Sequence, residues 1–417
     1  MQVTNLCTKV YKNKSASQNA YKNSDTNLVR NFINLKQKNF TSIYNTKATN
    51  VYFTGINKIL DNNAQRYDKV EGCFVGGAIG DALGSKIEPL SYDKIQKRYG
   101  EAGLHYIPKT CGMYRVTDDT QMSLFTTEAL LNNFLCDSDL SKEPDYSIIY
   151  DSYQDWYRTQ TSKCDYSEKN GLLSDADMYS KRGPGRTCLS ALEKGVMGTI
   201  ENPINNSFAN GGIMRSAPIG LIYSRDPKLA FKVAMKSAAL THGHPDAYLS
   251  AGCFASIIAN LVNGENIDTA IKNSLAILSQ YDNSENTIVN IKKAVELSKT
   301  DIEPTDAIDL IGKGFNGAEA LSIALYSVLK YPDNYKKTII TAANHSGDSD
   351  TTGAIAGNIS GLINGAKKIP SNWRIGIEYL SWMQKYAKAV DSILKISLPI
   401  SKSYPNIQER WDTDKFI

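Results

Sequence analysis

Two short stretches carry residues whose types and spacing could do chemistry. In "VTDDTQM", Asp118 and Asp119 stand side by side between Thr117 and Thr120. In "NHSGDSDTTGAIAG", Asp348 and Asp350 lie one residue apart with Ser349 and Thr351, just before a run made almost entirely of Gly and Ala. Asp348 and Asp350 repel each other at that spacing, and no Lys or Arg close by in sequence neutralises them, so a positive charge from elsewhere is implied. Taken singly, each stretch reads as the N-cap of a helix. Taken together they form a set of hard oxygen ligands, two carboxylate pairs each lined by hydroxyls. Four carboxylates bear about four negative charges, which two divalent cations would cancel; Mg²⁺ or Mn²⁺ suits such a set, whereas zinc favours His and Cys.

Other reactive residues point to less. His242, His244 and Asp246 are close together, but the chain has only four histidines and no third convergent ligand, so zinc is not indicated. No G-x-x-x-x-G-K-[ST] loop is present, which leaves P-loop nucleotide hydrolysis without support. Arg215 in "MRSAP" reads as a buried ion-pair partner rather than a substrate clamp. The seven cysteines are scattered and form no C-x-x-C pair, so neither a disulfide framework nor a structural zinc site is expected, and a reducing compartment fits best.

The elements that must present these loops are helical. "TDDTQMSLFTTEALLNNFL" begins with capping residues and keeps Met122, Phe125, Ala129 and Leu130 on one face. "RDPKLAFKVAMKSAAL" offers Asp226 as N-cap and Pro227 at the first helical position. "PDAYLSAGCFASIIANLVNG" stops at Asn263 and Gly264. Similar periodicity runs through "NIDTAIKNSLAILSQY", "ENTIVNIKKAVELSK", "GAEALSIALYSVLKY" and, as one long pattern, "SNWRIGIEYLSWMQKYAKAVDSILK". Convincing alternating strands are absent, so the predicted fold class is all-α. Gly76, Gly80 and Gly84 recur every four residues, as do Gly353, Gly357, Gly361 and Gly365. A helix-interior Gly costs about 1 kcal/mol relative to Ala. Such rows therefore require a compensating close approach of backbones, which would hold the adjoining acidic loops in register.

Charge divides the chain into parts. Of 47 Lys and Arg and 43 Asp and Glu, residues 1–66 hold ten bases against two acids (Asp25 and Asp61), a net of +8, leaving a net of −4 for the remainder. Three parts are expected: a basic Asn/Lys-rich extension over 1–66, a helical domain over 67–400 and a tail over 401–417. The extension has the charge to bind an acidic partner but carries no recognised nucleic-acid motif, and with only Arg30 in its first sixty residues it is a poor transit peptide. No apolar run approaches the roughly 20 residues a bilayer span needs, and the first thirty residues lack a secretory layout. A cytoplasmic protein is the expectation.

Six segments then stand in a telling order: "GCFVGGAIGDALGSKIE", "TDDTQMSL", "RGPGRTCLSAL", "NSFANGGIMRSAPIGL", "LTHGHPDA" and "SGDSDTTGAIAG". Over about residues 67–390 the chain resembles the ADP-ribosylglycohydrolase family, the ADP-ribosyl hydrolases related to the dinitrogenase-reductase-activating enzyme. The resemblance implies an all-α globule with a binuclear Mg²⁺ or Mn²⁺ centre. It makes Thr117, Asp118, Asp119, Asp348, Asp350 and Thr351 metal ligands. Glu88 matches a glutamate that in some members lies on a mobile flap and contacts metal or catalytic water; Glu88, Asp119 or Asp350 would then take a proton from that water. Gly183 and Gly185 match a loop lying along the diphosphate. Asn206, Ser207 and Phe208, with Asn210 and Gly211 of the following "NGG", fall where the family contacts diphosphate and adenosine, with Asn206 replacing a customary Gly. His242 matches a histidine near the adenosine ribose. The implied partner is an ADP-ribosylated protein, most often modified on arginine, with serine linkage as the alternative. A second reading makes the chain an immunity protein or a translocated effector whose extension binds an ADP-ribosyltransferase.

Overall fold

The structure, a computed structural model, describes residues 50–164 and 170–397, with the backbone alone at 50–62, 396 and 397. Most of the basic extension and the tail from 401 lie outside the described residues. Gln65 onward forms one compact unit. Its α-helices, in chain order, are α1 (Asn50–Gly84), α2 (Tyr92–Tyr99), α3 (Asp118–Cys136), α4 (Tyr146–Thr161), α5 (Arg186–Glu193), α6 (Ala217–Ile222), α7 (Pro227–Ala239) and α8 (Pro245–Val262). They continue with α9 (Ile267–Leu278), α10 (Glu285–Ser298), α11 (Pro304–Ile311), α12 (Gly317–Lys330), α13 (Tyr335–Ala343), α14 (Ser349–Asn364), α15 (Ser371–Gly376) and α16 (Leu380–Ser397). Among the described residues there is no strand beyond isolated bridges, so the all-α expectation holds. No described helix is long and apolar enough to cross a membrane.

Local signals behave as their chemistry dictates. The Asp226 side chain accepts from the N–H groups of Lys228 and Leu229 with Pro227 next to it, and α8 ends at Asn263 with Gly264 at a φ of 91°. Met122, Phe125, Ala129 and Leu130 all face the core from α3. One pattern misleads: the stretch expected as a single helix from Ser371 is two, α15 and α16. Between them Tyr379 takes a φ of 58° and Glu378 is almost wholly buried. The polar demand of Glu378, described below, outweighs helical periodicity there.

At the centre α1 and α14 run antiparallel with their backbones in contact. A Cβ on Gly72 would stand 2.2 Å from the carbonyl oxygen of Gly361; on Gly76, 2.4 Å from that of Gly357; on Gly80, 1.9 Å from that of Gly353; and on Gly84, 2.1 Å from that of Ser349. Seen from the other side, a Cβ on Gly353, Gly357 or Gly361 meets the carbonyl oxygens of Gly80, Gly76 and Gly72 at 2.5, 2.1 and 2.0 Å. No side chain fits between them. The carbonyl edges are tied by Tyr335, whose hydroxyl donates to Gly76 at 2.7 Å, and by Asn358, whose amide donates to Cys73 at 2.8 Å. This pairing brings the C-terminal end of α1, with Asp81 and the following Glu88, to the N-terminal end of α14, with Asp348 and Asp350. Around the pair the core is built by α8, buried from Ala247 to Leu261 on most of its faces, against α7, α9, α6 and α12.

Gly357→Leu should therefore cost about 3 kcal/mol or more, since an oversized side chain at a fixed backbone contact cannot be absorbed by rotamer changes. Thermal unfolding measures it, and an unchanged midpoint would refute the close-packing account.

Candidate functional site

The first acidic loop is shaped by the start of α3. Thr117 is its N-cap, with Oγ1 accepting the Asp119 N–H at 3.3 Å. From α1, the buried Asp81 carboxylate accepts the N–H of Thr117 (2.9 and 3.0 Å to its two oxygens), the N–H of Thr120 (3.2 Å) and the Thr120 hydroxyl (2.5 Å). A third segment closes on Asp118: its N–H donates to the carbonyl of Arg182 at 2.9 Å, and its Oδ2 accepts the Gly185 N–H at 3.0 Å. The predicted phosphate-loop glycines thus divide. Gly185 spends its N–H on Asp118, while Gly183, exposed and at a φ of 73°, faces open space.

The second acidic loop opens α14. Asp348 occupies the N-cap position, yet its side chain makes no cap bond. Its N–H donates to the Lys313 carbonyl at 2.8 Å, and its Oδ2 accepts from Asn210 Nδ2 at 2.9 Å. That amide also donates to the Gly314 carbonyl at 2.8 Å, so the buried Asn210 braces Asp348. Asp350 accepts the Thr351 N–H at 3.0 Å.

The two loops meet. Glu88, Asp348 and Asp350 each bring one carboxylate oxygen within 4.8 Å of the others, and Asp119 stands near enough for the Asp348 charge to raise it and the Thr351 side chain to offset part of that rise. Residues 117–119 and 348–351, separated by more than half of the chain, share one locus. Glu88 closes it at the solvent side, with Asp119 and Asp350 behind it.

Electrostatics at this locus are unfavourable without a counter-charge. Burial, and then the charges of Asp81 and Asp348, push Asp118 up to about 8. Burial raises Asp119 well above the usual carboxylate range, with Asp81, Asp118 and Asp348 adding to it. Asp350 rises likewise, by burial and by Asp348, Asp119 and Glu88. Glu88 is raised by burial and by Asp348. Asp81 sits at about 6, where burial is partly offset by its bonds from Thr120 and Thr117. Every cause that raises these groups is burial or another carboxylate. Asp119 Oδ2 is buried with no hydrogen-bond partner. An orphaned carboxylate oxygen among like charges and threonine hydroxyls is what a divalent, oxygen-seeking cation would satisfy, so the residues present fit Mg²⁺ or Mn²⁺.

Beside this cluster lies the "NSFANGG" loop. Asn205 Oδ1 accepts from the N–H groups of Ser207 and Gly243, and the Ser207 and Thr187 hydroxyls pair at 2.9 Å. Asn206 is exposed; Phe208 is 53% exposed, its ring edge-on to His244 at 5.9 Å between centroids. Gly211 is buried, and a Cβ there would press on His242 at 3.0 Å and Cys188 at 2.9 Å. His242 itself is fully buried, its Nδ1 paired with Thr241 Oγ1 at 2.8 Å. It supports the loop from beneath rather than lining an open surface.

A family model described as ADP-ribosylglycohydrolase matches residues 62–398. The chain belongs to the ADP-ribosylglycohydrolase family. It is 24% identical to the ADP-ribosyl-dinitrogen reductase glycohydrolase of Rhodospirillum rubrum, across 79% of this chain and 97% of that protein. It is 25% identical to the ADP-ribosylarginine hydrolase Tri1 of Serratia proteamaculans, across 74% and 75%. A solved structure described as an ADP-ribosylglycohydrolase-related protein complex superposes with a TM-score of 0.56 at 24% identity, covering 79% of this chain and 99% of that one, which establishes the shared fold.

Some supporting residues of this family member have no sequence signal of their own. Asp81 is hidden in a glycine-rich helix and Glu378 in an apparently continuous one. Glu378 holds Arg115 and Arg182 by ion pairs and accepts the Val116 N–H at 3.1 Å, tying the approach to Thr117 to the Arg182–Gly185 loop. Arg215 is fully buried as expected, but among the described residues no carboxylate pairs with it. Instead its guanidinium lies 4.0 Å from the Tyr153 ring centroid and donates to Thr241 Oγ1 at 2.7 Å.

Stability should respond to pH and metal together. A carboxylate raised from 3.8 to about 8 keeps a proton in the folded state that the unfolded chain has lost, so metal-free protein loses stability as pH rises through that interval. His242 and His345, lowered by burial to about 3 and about 4, act in the opposite sense, but only below their unfolded value of 6.5. Between pH 6.5 and 8 the carboxylates alone remain, and the metal-free unfolding free energy should fall by on the order of 1 kcal/mol per pH unit. Mg²⁺ or Mn²⁺ should stabilise more at pH 8 than at 6.5, because binding displaces those protons. Melting curves with EDTA and with metal decide it; an equal metal effect at both pH values would contradict the electrostatics described.

Proposed function

We propose that this chain is a metal-dependent ADP-ribosyl hydrolase that frees ADP-ribose from modified arginine side chains of proteins, reversing an ADP-ribosyltransferase. The observation that carries the reading is the convergence of Thr117–Asp119 with Asp348–Thr351 and Glu88 around an orphaned carboxylate oxygen. The arginine linkage is supported by the likeness to the ADP-ribosylarginine hydrolase Tri1. Thr117, Asp118, Asp119, Asp348, Asp350 and Thr351 would hold two Mg²⁺ or Mn²⁺ ions. When bound, these ions supply positive charge against the acidic cluster and polarise the oxygen atoms they touch.

The chain's own residues supply the remainder. Glu88, on the solvent side and raised above an ordinary glutamate by burial and by Asp348, would accept a proton from a water attacking the anomeric carbon. As the new C–O bond forms, the C–N bond to the guanidino group breaks through an oxocarbenium-like state, and the bonding pair leaves with nitrogen. The proton held by Glu88 then passes to the departing guanidine, restoring the carboxylate. Asp119 and Asp350, buried behind, serve the cluster's charge. Gly183 leaves room and a turned backbone for the diphosphate, with Asn206, Ser207 and Gly211 shaping the adjoining wall. Phe208 offers its exposed face to adenine.

Changing Asp118 and Asp119 together to Ala should abolish ADP-ribose release from an arginine-linked ADP-ribosyl peptide while the helical circular dichroism is retained. Full activity in that variant would reject the assignment. EDTA should likewise stop wild-type release and Mg²⁺ restore it. A serine-linked peptide assayed in parallel tests the linkage, and faster release from serine would overturn the arginine reading.

The net of +8 over residues 1–66 favours a second role, the binding of an acidic partner such as an ADP-ribosyltransferase. Deleting residues 1–49 should leave hydrolysis unchanged within about twofold and weaken transferase pull-down. Retained binding would remove the extension from that role.

A further inference from the structure

The first turn of α3 has an unusual division of labour. A helix ordinarily satisfies its leading N–H groups with its own N-cap or with acidic side chains of its first turn. Here the N-cap Thr117 takes only the Asp119 N–H, and Asp118 and Asp119, the acidic side chains of the first turn, take none. Asp81, from a different helix and with no solvent exposure, takes the N–H of Thr117 and both donors of Thr120. That leaves Asp118 Oδ2 to meet Gly185 and Asp119 Oδ2 without any protein partner.

We propose that Asp81 is a positioning residue for the metal site: beside the N-cap Thr117, its carboxylate takes the donors at the start of α3 that Asp118 and Asp119 would otherwise take, and so turns both toward the cation locus. The inference rests on the metal-dependent reading above and deepens it. Asp81 can do this because Gly80 and Gly84 flank it and fix the end of α1 against Gly353 and Ser349 of α14. The register of the helix pair thereby determines where both halves of the ligand set stand. Thr120 is the receiving half of the device, its hydroxyl donating to Asp81 at 2.5 Å.

Full-length protein titrated with MnCl₂, the free ion counted by electron paramagnetic resonance, gives a readout independent of catalysis. D81N keeps the size of the side chain but replaces one acceptor by a donor. It should stay folded by circular dichroism and bind Mn²⁺ at least about 10-fold more weakly, the ordinary consequence of disturbing a residue that orients a ligand. Its kcat should fall more than its KM changes. A D81N protein that melts earlier yet binds Mn²⁺ as tightly as wild type would reduce Asp81 to a helix cap and overturn the proposal. Should D81N fail to fold, Thr120 decides: T120V removes only the hydroxyl donor and should weaken Mn²⁺ binding about 3-fold or more, with T120S restoring it. T120V binding as wild type overturns the proposal equally. Wild-type protein that takes up no Mn²⁺ overturns the metal reading itself, and the role of Asp81 with it.

Discussion

Backbone contact between α1 and α14 is the constraint on which the rest depends. Seven glycines are committed to it, four on α1 and three on α14, and each would stabilise an isolated helix by about 1 kcal/mol if replaced by Ala. That sacrifice is offset by a pairing in which carbonyl oxygens occupy the space of absent side chains. Ordinary side-chain packing separates helix axes by 8–10 Å and tolerates small slips. Direct backbone contact permits neither, since a shift along the axis would drive a carbonyl into a neighbouring Cα. The ends of the two helices are consequently held in register, and the ends are where Asp81, Glu88, Asp348 and Asp350 reside.

Three buried polar side chains extend that register to the neighbouring segments. Asp81 carries it to α3, Asn210 joins the "NGG" turn to Asp348 and Gly314, and Glu378 gathers Arg115, Val116 and Arg182. Each is a case where the cost of burying a polar group is met by several hydrogen bonds at once, which also fixes direction in a way apolar contact does not. Loss of any one partner would leave a buried group unsatisfied. Loops carrying functional residues are ordinarily the mobile part of a fold; here they are tied at both flanks.

Sequence made much of this legible, for identifiable reasons. The capping of α7 by Asp226 and the stop of α8 at Gly264 depend only on neighbours a few residues away, and both were readable. The glycine rows were readable because periodicity at four residues in a helix has few explanations, although their mutual pairing needed three dimensions. The acidic loops announced themselves by like charge without nearby compensation. What stayed hidden depends on distant partners. Asp81 looked like one polar residue in a small-residue helix, and Glu378 sat inside a helical period that its ion pairs interrupt. Asn210 has the same side chain whether it faces a ligand or a carboxylate. Arg215 was correctly read as buried but given the wrong partner, because an aromatic ring and a hydroxyl leave no charge signature in sequence.

The acidic locus gives the fold its purpose and its weakness together. Placing carboxylates from three segments within a few ångströms is unfavourable in a buried setting, where Coulomb repulsion is little screened. A chain selected for stability alone would interleave Lys or Arg, as this one does around Glu378, or would let Asp118 and Asp119 cap their own helix. Neither happens. The repulsion is tolerated because the glycine-packed helices and the Asp81 carboxylate hold these side chains apart from their easier partners, and protonation, which burial and like charge favour, relieves part of the remainder. Rigid placement of like charges is thus the form that an affinity for a divalent ion would take in the chain itself, since mutual repulsion among the carboxylates and a strong hold on such an ion would have the same origin.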